Sequence, residues 1–288
     1  MNDYLLSVLL GIVEGVTEFL PVSSTAHLRI TEALLHVSLT DSYWKMYSIV
    51  IQLGAILSLP VYFRRRILDF VSTFPKGERG DRTIFTHPLS LALVAFVVTA
   101  IPSFILKKQI GKNLESLAVM GWALLIGGIV MWAVDAFFRR STIQRLEDMK
   151  LGHAIWIGAV QTLSAIFPGT SRSMCTIAAG QVAGLSRSAA LEFSFFVSIP
   201  TMAVATGYDL LRTVMPRHDA ADAAIAPVTM DAHAWVILAI GFVVSFIVAL
   251  AVVAWFMNWV RARGFAPFAI YRIIVGVVVL VCVSRGVL

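Results

Sequence analysis

Charge is scarce in this sequence. Only 14% of the 288 residues are Asp, Glu, Lys or Arg, whereas hydrophobic residues make up 58%. A soluble domain carries about 25% charged and about 45–50% apolar residues, so an ordinary water-exposed surface is excluded for most of the chain. The composition indicates a protein surrounded mainly by lipid.

Cysteine and long polar stretches are scarce too. The two cysteines, Cys175 and Cys282, both lie in apolar segments, which predicts neither a disulfide framework nor a cysteine metal site. The longest polar stretches, near 72–87 and 209–233, are the size of loops, so no soluble domain is expected. The first residues include Asp3 and no basic charge, which predicts no cleaved signal peptide.

The net charge of +6 does not indicate nucleic-acid binding. The basic residues cluster in short gaps between apolar segments, such as 64–66 and 139–140, and no module combining basic and aromatic residues is present. This distribution is typical of charges that orient a protein in a membrane. We therefore expect membrane lipid as a partner and no nucleic acid.

Six apolar segments are long enough to cross about 30 Å of hydrocarbon as helices. Four shorter segments form two pairs, and each pair is interrupted by a proline, Pro21 or Pro168. Proline disfavours helix at the residue before it and suits the first turn of the next helix, so each pair is predicted as helix, break and helix. The six crossing segments are 44–63, 88–106, 118–138, 191–210, 234–257 and 268–285.

The two interrupted pairs resemble each other. The segment 10–24 aligns with 157–171 at a separation of 147 residues, and 95–99 resembles 241–245 at a separation of 146 residues. Chance similarity between apolar segments explains one such match but not two at nearly the same separation. The sequence therefore predicts an internal duplication, with repeats over about 1–140 and about 151–288.

If each interrupted pair enters and leaves the membrane on one side, each repeat crosses it three times and the repeats are inverted. The gaps on one side then contain 13 basic residues and those on the other contain six; the richer side is expected to be cytoplasmic. The predicted fold is an all-α polytopic membrane protein with a single membrane domain, 1–288. It has two inverted repeats, six transmembrane helices, two re-entrant helix pairs and both termini outside the cytoplasm.

Two glutamates share one face of the first interrupted helix. Glu14 and Glu18 are four residues apart, at a depth where a charged side chain costs about 2.5–3.5 kcal/mol on insertion scales. Like charges this close require a cation, a metal ion or a shared proton. The alternative interpretation is that one glutamate caps a helix or snorkels to the interface.

Hydroxyl groups and a histidine follow the first proline. A helix that restarts there directs unpaired N–H groups and the positive end of its dipole at the break. One serine is explained as a cap, but three hydroxyls and an imidazole suit phosphate oxygens, a nucleophile and proton transfer. These residues are Ser23, Ser24, Thr25 and His27.

The second break reads Pro168-Gly169-Thr170-Ser171-Arg172-Ser173. Gly169 lets the backbone approach a ligand, the N–H groups after it form an anion-binding concavity, and Arg172 offers a fixed fork for phosphate oxygens. Arg172 is also the cation expected to offset the two glutamates, with a purely structural buried ion pair as the alternative. Inverted pairs would bring both breaks together near the midplane.

Other polar residues in the apolar segments give weaker indications. Gln52 and Gln161 either line the site or form hydrogen bonds between helices. Four charged residues lie toward segment ends, where snorkelling of the side chain to the interface is the preferred explanation. They are Glu32, Asp135, Glu192 and Arg272.

The two motifs resemble those of a known family, the bacterial undecaprenyl-diphosphate phosphatases of the bacitracin-resistance type. The run 14–27 is similar to the family's first signature and the run 168–173 to its second, and length, duplication and hydropathy match over essentially the whole chain. Two positions depart from the family pattern, with Ala26 and Met174 where glycine is common. Both residues add bulk near the site.

The resemblance implies an enzyme of the bacterial inner membrane that hydrolyses undecaprenyl diphosphate to undecaprenyl phosphate and inorganic phosphate, recycling the carrier lipid for peptidoglycan. It implies a polyprenyl diphosphate substrate bound in a site open to the outer face, and a divalent cation, Mg²⁺ or Ca²⁺, held by Glu14 and Glu18. The catalytic residues carried over are Glu14, Glu18, Ser24, His27 and Arg172. The residues expected at the substrate are Ser23, Thr25, Gln161, Gly169, Thr170, Ser171 and Ser173.

A transporter or flippase for a lipid phosphate is the alternative function, because inverted repeats with interrupted helices at the midplane are typical of transporters. A nucleophile and a base beside two carboxylates supply more chemistry than binding requires, which favours the hydrolase. The attacking group, serine or water, stays open. So does the oligomeric state, with a homodimer as one expected form.

Overall fold

Eleven α-helices make up most of the part of the chain that the structure describes. The computed structural model describes residues 2–37, 41–106, 109–110, 113, 116–214 and 230–287. Within these ranges β-pairing is limited to one isolated bridge, Ile143–Leu185, and the all-α prediction is confirmed. In chain order the helices are α1 (Asp3–Thr17), α2 (Ser24–Leu34), α3 (Ser42–Tyr62), α4 (Arg64–Ser72), α5 (Pro88–Ile105), α6 (Leu117–Phe137), α7 (Leu151–Ile166), α8 (Arg172–Val182), α9 (Arg187–Val214), α10 (Ala232–Arg263) and α11 (Ala266–Ser284).

Six helices are long and apolar enough to cross a membrane, namely α3, α5, α6, α9, α10 and α11. They coincide with the six predicted crossing segments, so the chain is a polytopic membrane protein. The basic gap 64–87 is not a plain loop, because it contains α4. Ile67 and Phe70 give this short helix an apolar face, and Phe70 is buried.

Both interrupted helix pairs are present. Residues 18–23 separate α1 from α2, and residues 167–171 separate α7 from α8. Each break contains its proline, Pro21 or Pro168, which lacks the N–H that a continuous helix would use. The prediction of helix, break and helix is therefore confirmed for both pairs.

Helices from the two halves of the chain pack on each other reciprocally. α1 packs on α10, and α7 packs on α5. A Cβ added to Gly11 would lie 2.9 Å from Gly241 O, and one added to Gly158 would lie 2.5 Å from Ala95 O. At the separations of 147 and 146 residues found in the sequence, Gly11 corresponds to Gly158 and Ala95 to Gly241. The duplication and the inversion of the halves across a membrane stay predictions.

The two breaks lie inside the helix bundle. α8 packs on α6, α7 and α9, while α2 packs on α1 and α6. Phe19, Leu20 and Val22 of the first break are at most 8% exposed.

Of the six basic residues counted on the predicted outer side, Lys107, Lys108, Lys112 and Arg217 lie outside the described residues.

The close contact of α7 with α5 gives a first test. Gly158→Ala should lower the midpoint of thermal unfolding in detergent, because the new Cβ would meet the backbone of α5 and overpacking costs about 1–3 kcal/mol. Gly152→Ala is the matched control, since it lies in the same helix with no atom within 4 Å of an added Cβ. Equal midpoints for the two purified variants would contradict this packing.

Candidate active site

The first break ends at a capped helix start. Ser23 has a φ of 75° and is the N-cap of α2, where its hydroxyl accepts a hydrogen bond from Ala26 N at 3.4 Å. A positive φ is strained for a residue with a Cβ and persists only where the surrounding structure fixes it. The first N–H groups of α2 therefore face the break in a fixed orientation.

The second break repeats this geometry. Ser171 has a φ of 73° and caps α8 by accepting a hydrogen bond from Met174 N at 3.3 Å. Gly169 has a φ of 98°, and a Cβ there would lie 2.7 Å from Met120 O of α6. Both the backbone conformation and the available space therefore require glycine at this position.

A chain of hydrogen bonds connects the two breaks. Ser24, the first residue of α2, donates its hydroxyl to Glu18 Oε2 at 2.5 Å. Arg172, the first residue of α8, donates from Nη2 to Glu18 Oε1 at 2.9 Å. The Arg172 and Glu18 side chains are 11% and 3% exposed. The structure thus brings together, across 154 residues of sequence, the glutamate of one half and the arginine of the other.

Glu14 lies one helical turn before Glu18 and is completely buried. Neither of its carboxylate oxygens has a hydrogen-bond partner among the described residues, so Arg172 pairs with Glu18 and not with Glu14. A buried carboxylate left unpaired is costly. A divalent cation on these oxygens or a proton shared with Glu18 would offset this cost, and the cation stays a prediction. Magnesium is commonly bound by one or two carboxylates, with waters and substrate phosphates as its other ligands. The described residues contain no larger group of His, Cys, Asp or Glu that could hold a metal ion.

A cavity of about 650 Å³ adjoins this chain of hydrogen bonds. Its polar end is lined by Glu18, Ser24 and Arg172, and Nη1 of Arg172 has no hydrogen-bond partner among the described residues. Its walls are largely apolar, with side chains such as Phe96 of α5 and Met202 of α9. The arrangement suits an anionic group attached to an apolar chain.

Five of the seven residues predicted to contact substrate line the cavity: Ser23, Thr25, Gln161, Gly169 and Ser171. Gln161 donates from Nε2 to Thr201 Oγ1 at 3.3 Å. Its Oε1 is buried and has no partner in the described part of the chain. Gln161 therefore both lines the site and bonds between helices, the two interpretations that the sequence left open.

Thr170 and Ser173 lie outside the cavity wall. The Thr170 hydroxyl donates to Phe167 O at 2.7 Å, and the Ser173 hydroxyl donates to Leu20 O at 3.0 Å. Both hydroxyls thus satisfy backbone carbonyls of the breaks. Ser173 joins the second break directly to the first, and substrate contact by either residue stays a prediction.

His27 also lies outside the cavity wall. Its Nδ1 is 2.7 Å from Ser23 O and its Nε2 is 2.7 Å from the Tyr271 hydroxyl. The imidazole stacks on the Tyr271 ring with 5.6 Å between centroids. Both ring nitrogens are engaged and neither binds Ser24, so a role for His27 in proton transfer stays a prediction.

Arg272 donates hydrogen bonds to both breaks, and the sequence did not identify it as a residue of the site. Its predicted snorkelling is wrong, because the residue is 0% exposed and donates to Pro21 O, Ala123 O and Gly169 O at 3.0, 3.0 and 3.1 Å. α11 begins at Ala266, so Arg272 lies well inside the helix. The available signal was a lone arginine in an apolar crossing segment, since intramembrane charges are usually functional.

The other snorkelling assignments meet a similar outcome. Glu32 and Asp135 are 1% and 4% exposed, so snorkelling is wrong for both, and Glu192 is only partly exposed. Each carboxylate forms an ion pair with an arginine of the protein. The pairs are Glu32–Arg29 at 3.2 Å, Asp135–Arg187 at 2.7 Å and Glu192–Arg66 at 3.0 Å.

The pairing of Arg172 with Glu18 predicts an energetic coupling. Arg172→Met should lower the free energy of unfolding by about 3–5 kcal/mol, because it leaves a buried carboxylate without its cation. In a Glu18→Gln background the same substitution should cost less, with an interaction energy of about 0.5–3 kcal/mol. Denaturant titration of the purified variants measures both quantities.

Glu14→Gln supplies the control for this cycle, because Glu14 has no hydrogen bond to Arg172 in the described structure. Its interaction energy with Arg172→Met should be smaller than that of Glu18→Gln. Equal interaction energies would contradict the selective Arg172–Glu18 pair.

Comparison with known proteins agrees with this arrangement. The family model described as "Bacitracin resistance protein BacA" matches residues 7–278. An undecaprenyl-diphosphatase of Koribacter versatilis (strain Ellin345) is 67% identical over 97% of this chain and 98% of that protein. Undecaprenyl-diphosphatases of Rhizobium etli (strain CIAT 652) and Caldanaerobacter subterraneus subsp. tengcongensis are 40% and 38% identical, over 99% and 96% of this chain and 98% and 95% of those proteins. A match of this extent means that the chain belongs to the bacitracin resistance protein BacA family.

Proposed function

We propose that this chain hydrolyses undecaprenyl diphosphate to undecaprenyl phosphate and inorganic phosphate, and so recycles the carrier lipid for peptidoglycan synthesis. The observation that carries this function is the chain Ser24–Glu18–Arg172 at the polar end of an apolar-walled cavity. A hydroxyl bound to a carboxylate is a nucleophile with its proton acceptor, which transport of a lipid phosphate does not need. The relatives named above are undecaprenyl-diphosphatases, and each match covers nearly the full length of both proteins.

Arg172 is placed to hold the diphosphate without releasing Glu18. Its Nη2 binds the carboxylate while its Nη1 is unpaired in the described structure, so one guanidinium can serve both groups. The N–H groups at the start of α2 and α8 add donors with the positive ends of two helix dipoles. Fixed donors of this kind stabilise the charge that develops on phosphate oxygens in the transition state.

Ser24 is the nucleophile in the mechanism that we favour. Its Oγ attacks the terminal phosphorus, its proton passes to Glu18 Oε2, and the bond from that phosphorus to the bridging oxygen breaks. Undecaprenyl phosphate leaves. Water then attacks the phosphoserine phosphorus, the bond from that phosphorus to Ser24 Oγ breaks, and Glu18 returns its proton to Oγ. Both hydrogens of the water leave with inorganic phosphate as dihydrogen phosphate. The hydrogen bond from Ser24 to Glu18 supports this path. His27 contacts Ser23 O and the Tyr271 hydroxyl, and its predicted role in proton transfer stays a prediction.

Glu14 and Glu18 are the residues that would hold a divalent cation, Mg²⁺ or Ca²⁺. When bound, such an ion neutralises charge on phosphate oxygens. The support for this assignment is the pair of unpartnered Glu14 oxygens beside the occupied Glu18 carboxylate.

We expect the substrate to enter the cavity from the outer leaflet of the bacterial inner membrane. Its lining from α5 spans Phe96 to Phe104 and its lining from α9 spans Thr201 to Tyr208, the halves of both helices farthest from the basic gaps 64–87 and 181–190. If those gaps are cytoplasmic, the cavity opens to the outer face and both termini lie there. The lipid tail then follows the apolar wall into the bilayer, and the homodimer stays a prediction.

Phosphate release from undecaprenyl diphosphate by the purified protein in detergent tests the function directly. Arg172→Lys should keep the fold, because the charge beside Glu18 is retained, and should lower turnover by about 10²–10³-fold, because an ammonium cannot bind the carboxylate and a phosphate with one fixed fork. Arg187→Lys is the matched control, since it also opens a helix in an ion pair but lies outside the cavity wall. A wild-type protein without phosphate release would refute the proposal.

The metal assignment has its own test. Glu14→Gln should raise the Mg²⁺ concentration needed for half-maximal turnover, because it removes one of the two carboxylates. Glu32→Gln is a fitting control, since Glu32 is equally buried but already paired with Arg29. Full activity of the wild type in excess chelator, or the same Mg²⁺ response for both variants, would rule out a cation on Glu14.

A further inference from the structure

Arg272 binds one carbonyl in each break, at the same position relative to the serine cap. Pro21 lies two residues before the cap Ser23, and Gly169 lies two residues before the cap Ser171. Arg272 Nη1 donates to Pro21 O at 3.0 Å, and Nη2 donates to Gly169 O at 3.1 Å. The two nitrogens belong to one planar guanidinium, so covalent geometry fixes the separation of the two carbonyls.

The bound carbonyls are close in sequence to the groups that act on substrate. Ser24 follows Pro21 by three residues, and Arg172 follows Gly169 by three residues. The cap residue in each stretch has a positive φ, a conformation that persists only where the surrounding structure fixes it. We therefore expect a shift of either carbonyl to move the start of the helix that follows. Arg272 belongs to neither break and anchors both from α11.

α6 holds the guanidinium in place. Arg272 Nη2 also donates to Ala123 O at 3.0 Å. A Cβ added to Gly127, one turn further along α6, would collide with Nη2 of Arg272. The absence of a side chain at Gly127 is therefore what lets the guanidinium reach both breaks.

We propose that Arg272 is a positioning residue for the proposed hydrolysis, which sets the separation between the Ser24 hydroxyl and the Arg172 guanidinium. The inference rests on the proposed function. Arg272 does not line the cavity, so it acts through the two backbone carbonyls and not on the substrate. Loss of the fixed separation should lower kcat far more than it changes KM, because the binding donors remain while the attacking oxygen is misplaced, and a displacement of about 1 Å can cost about 10²-fold in rate.

Arg272→Lys tests this directly, since it keeps the charge and removes the fork. We expect kcat for phosphate release to fall by about 10–100-fold, with KM within about threefold of wild type. Gly127→Ala is the second variant, because it displaces the guanidinium while Arg272 itself is unchanged. It should show the same loss of kcat with little change in KM.

Gly121→Ala is the matched control for general damage to this helix pair. Gly121 lies in α6, and its Cβ would meet the Leu280 side chain of α11 at 2.9 Å, about two turns from Arg272. It should lower the unfolding midpoint, yet keep kcat near the wild-type value.

The outcomes separate this inference from the proposed function. A wild-type protein that releases no phosphate refutes the function and the inference together. With an active wild type, a normal kcat in Gly127→Ala and Arg272→Lys overturns the positioning role. Equal losses of kcat in Gly127→Ala and Gly121→Ala overturn it as well, because they would reflect loss of packing alone.

Discussion

An interrupted helix leaves backbone N–H and C=O groups without intrahelical partners, and lipid offers none in return. The protein satisfies the carbonyls from within, chiefly where Arg272 donates to Pro21 O and Gly169 O. The N–H groups at the starts of α2 and α8 are only partly used, by the caps Ser23 and Ser171. The interruption that removes helical hydrogen bonds therefore also creates a place for an anion, where N–H groups and two helix dipoles converge.

The distribution of buried charge follows from this arrangement. Glu18 is bound on both oxygens, by Ser24 and by Arg172, whereas Glu14 has no hydrogen-bond partner among the described residues. A diphosphate adds negative charge to a region that already contains two carboxylates, so further positive charge is required when substrate binds. In the proposed mechanism a cation on Glu14 would supply that charge, and the unpaired Nη1 of Arg172 would add a hydrogen bond to a phosphate oxygen. Neither would break the Ser24–Glu18 contact.

The two halves of the chain share backbone geometry but differ in chemistry. The residue after the serine cap is Ser24 in the first half and Arg172 in the second, and the residue 147 positions after Glu14 is Gln161. The Ser24 hydroxyl and both carboxylates thus come from one half, while the guanidinium and the amide come from the other. Neither half contains a complete site, and the chemistry exists only where the reciprocal packing of α1 on α10 and α7 on α5 brings the breaks together.

The helical class, the six crossing segments and the positions of the two breaks could all be inferred from the sequence alone. Hydropathy acts over one segment, and proline affects only its immediate neighbours. The contacts within the site depended on tertiary packing. No local pattern shows that Ser24 binds Glu18, that His27 turns to Tyr271, or that Arg272 is buried. The contacts and burial of such a side chain depend on which helix packs beside it. For Arg272 that helix is α6, which is more than 100 residues away in the chain. Gly127 of α6 leaves room for the guanidinium.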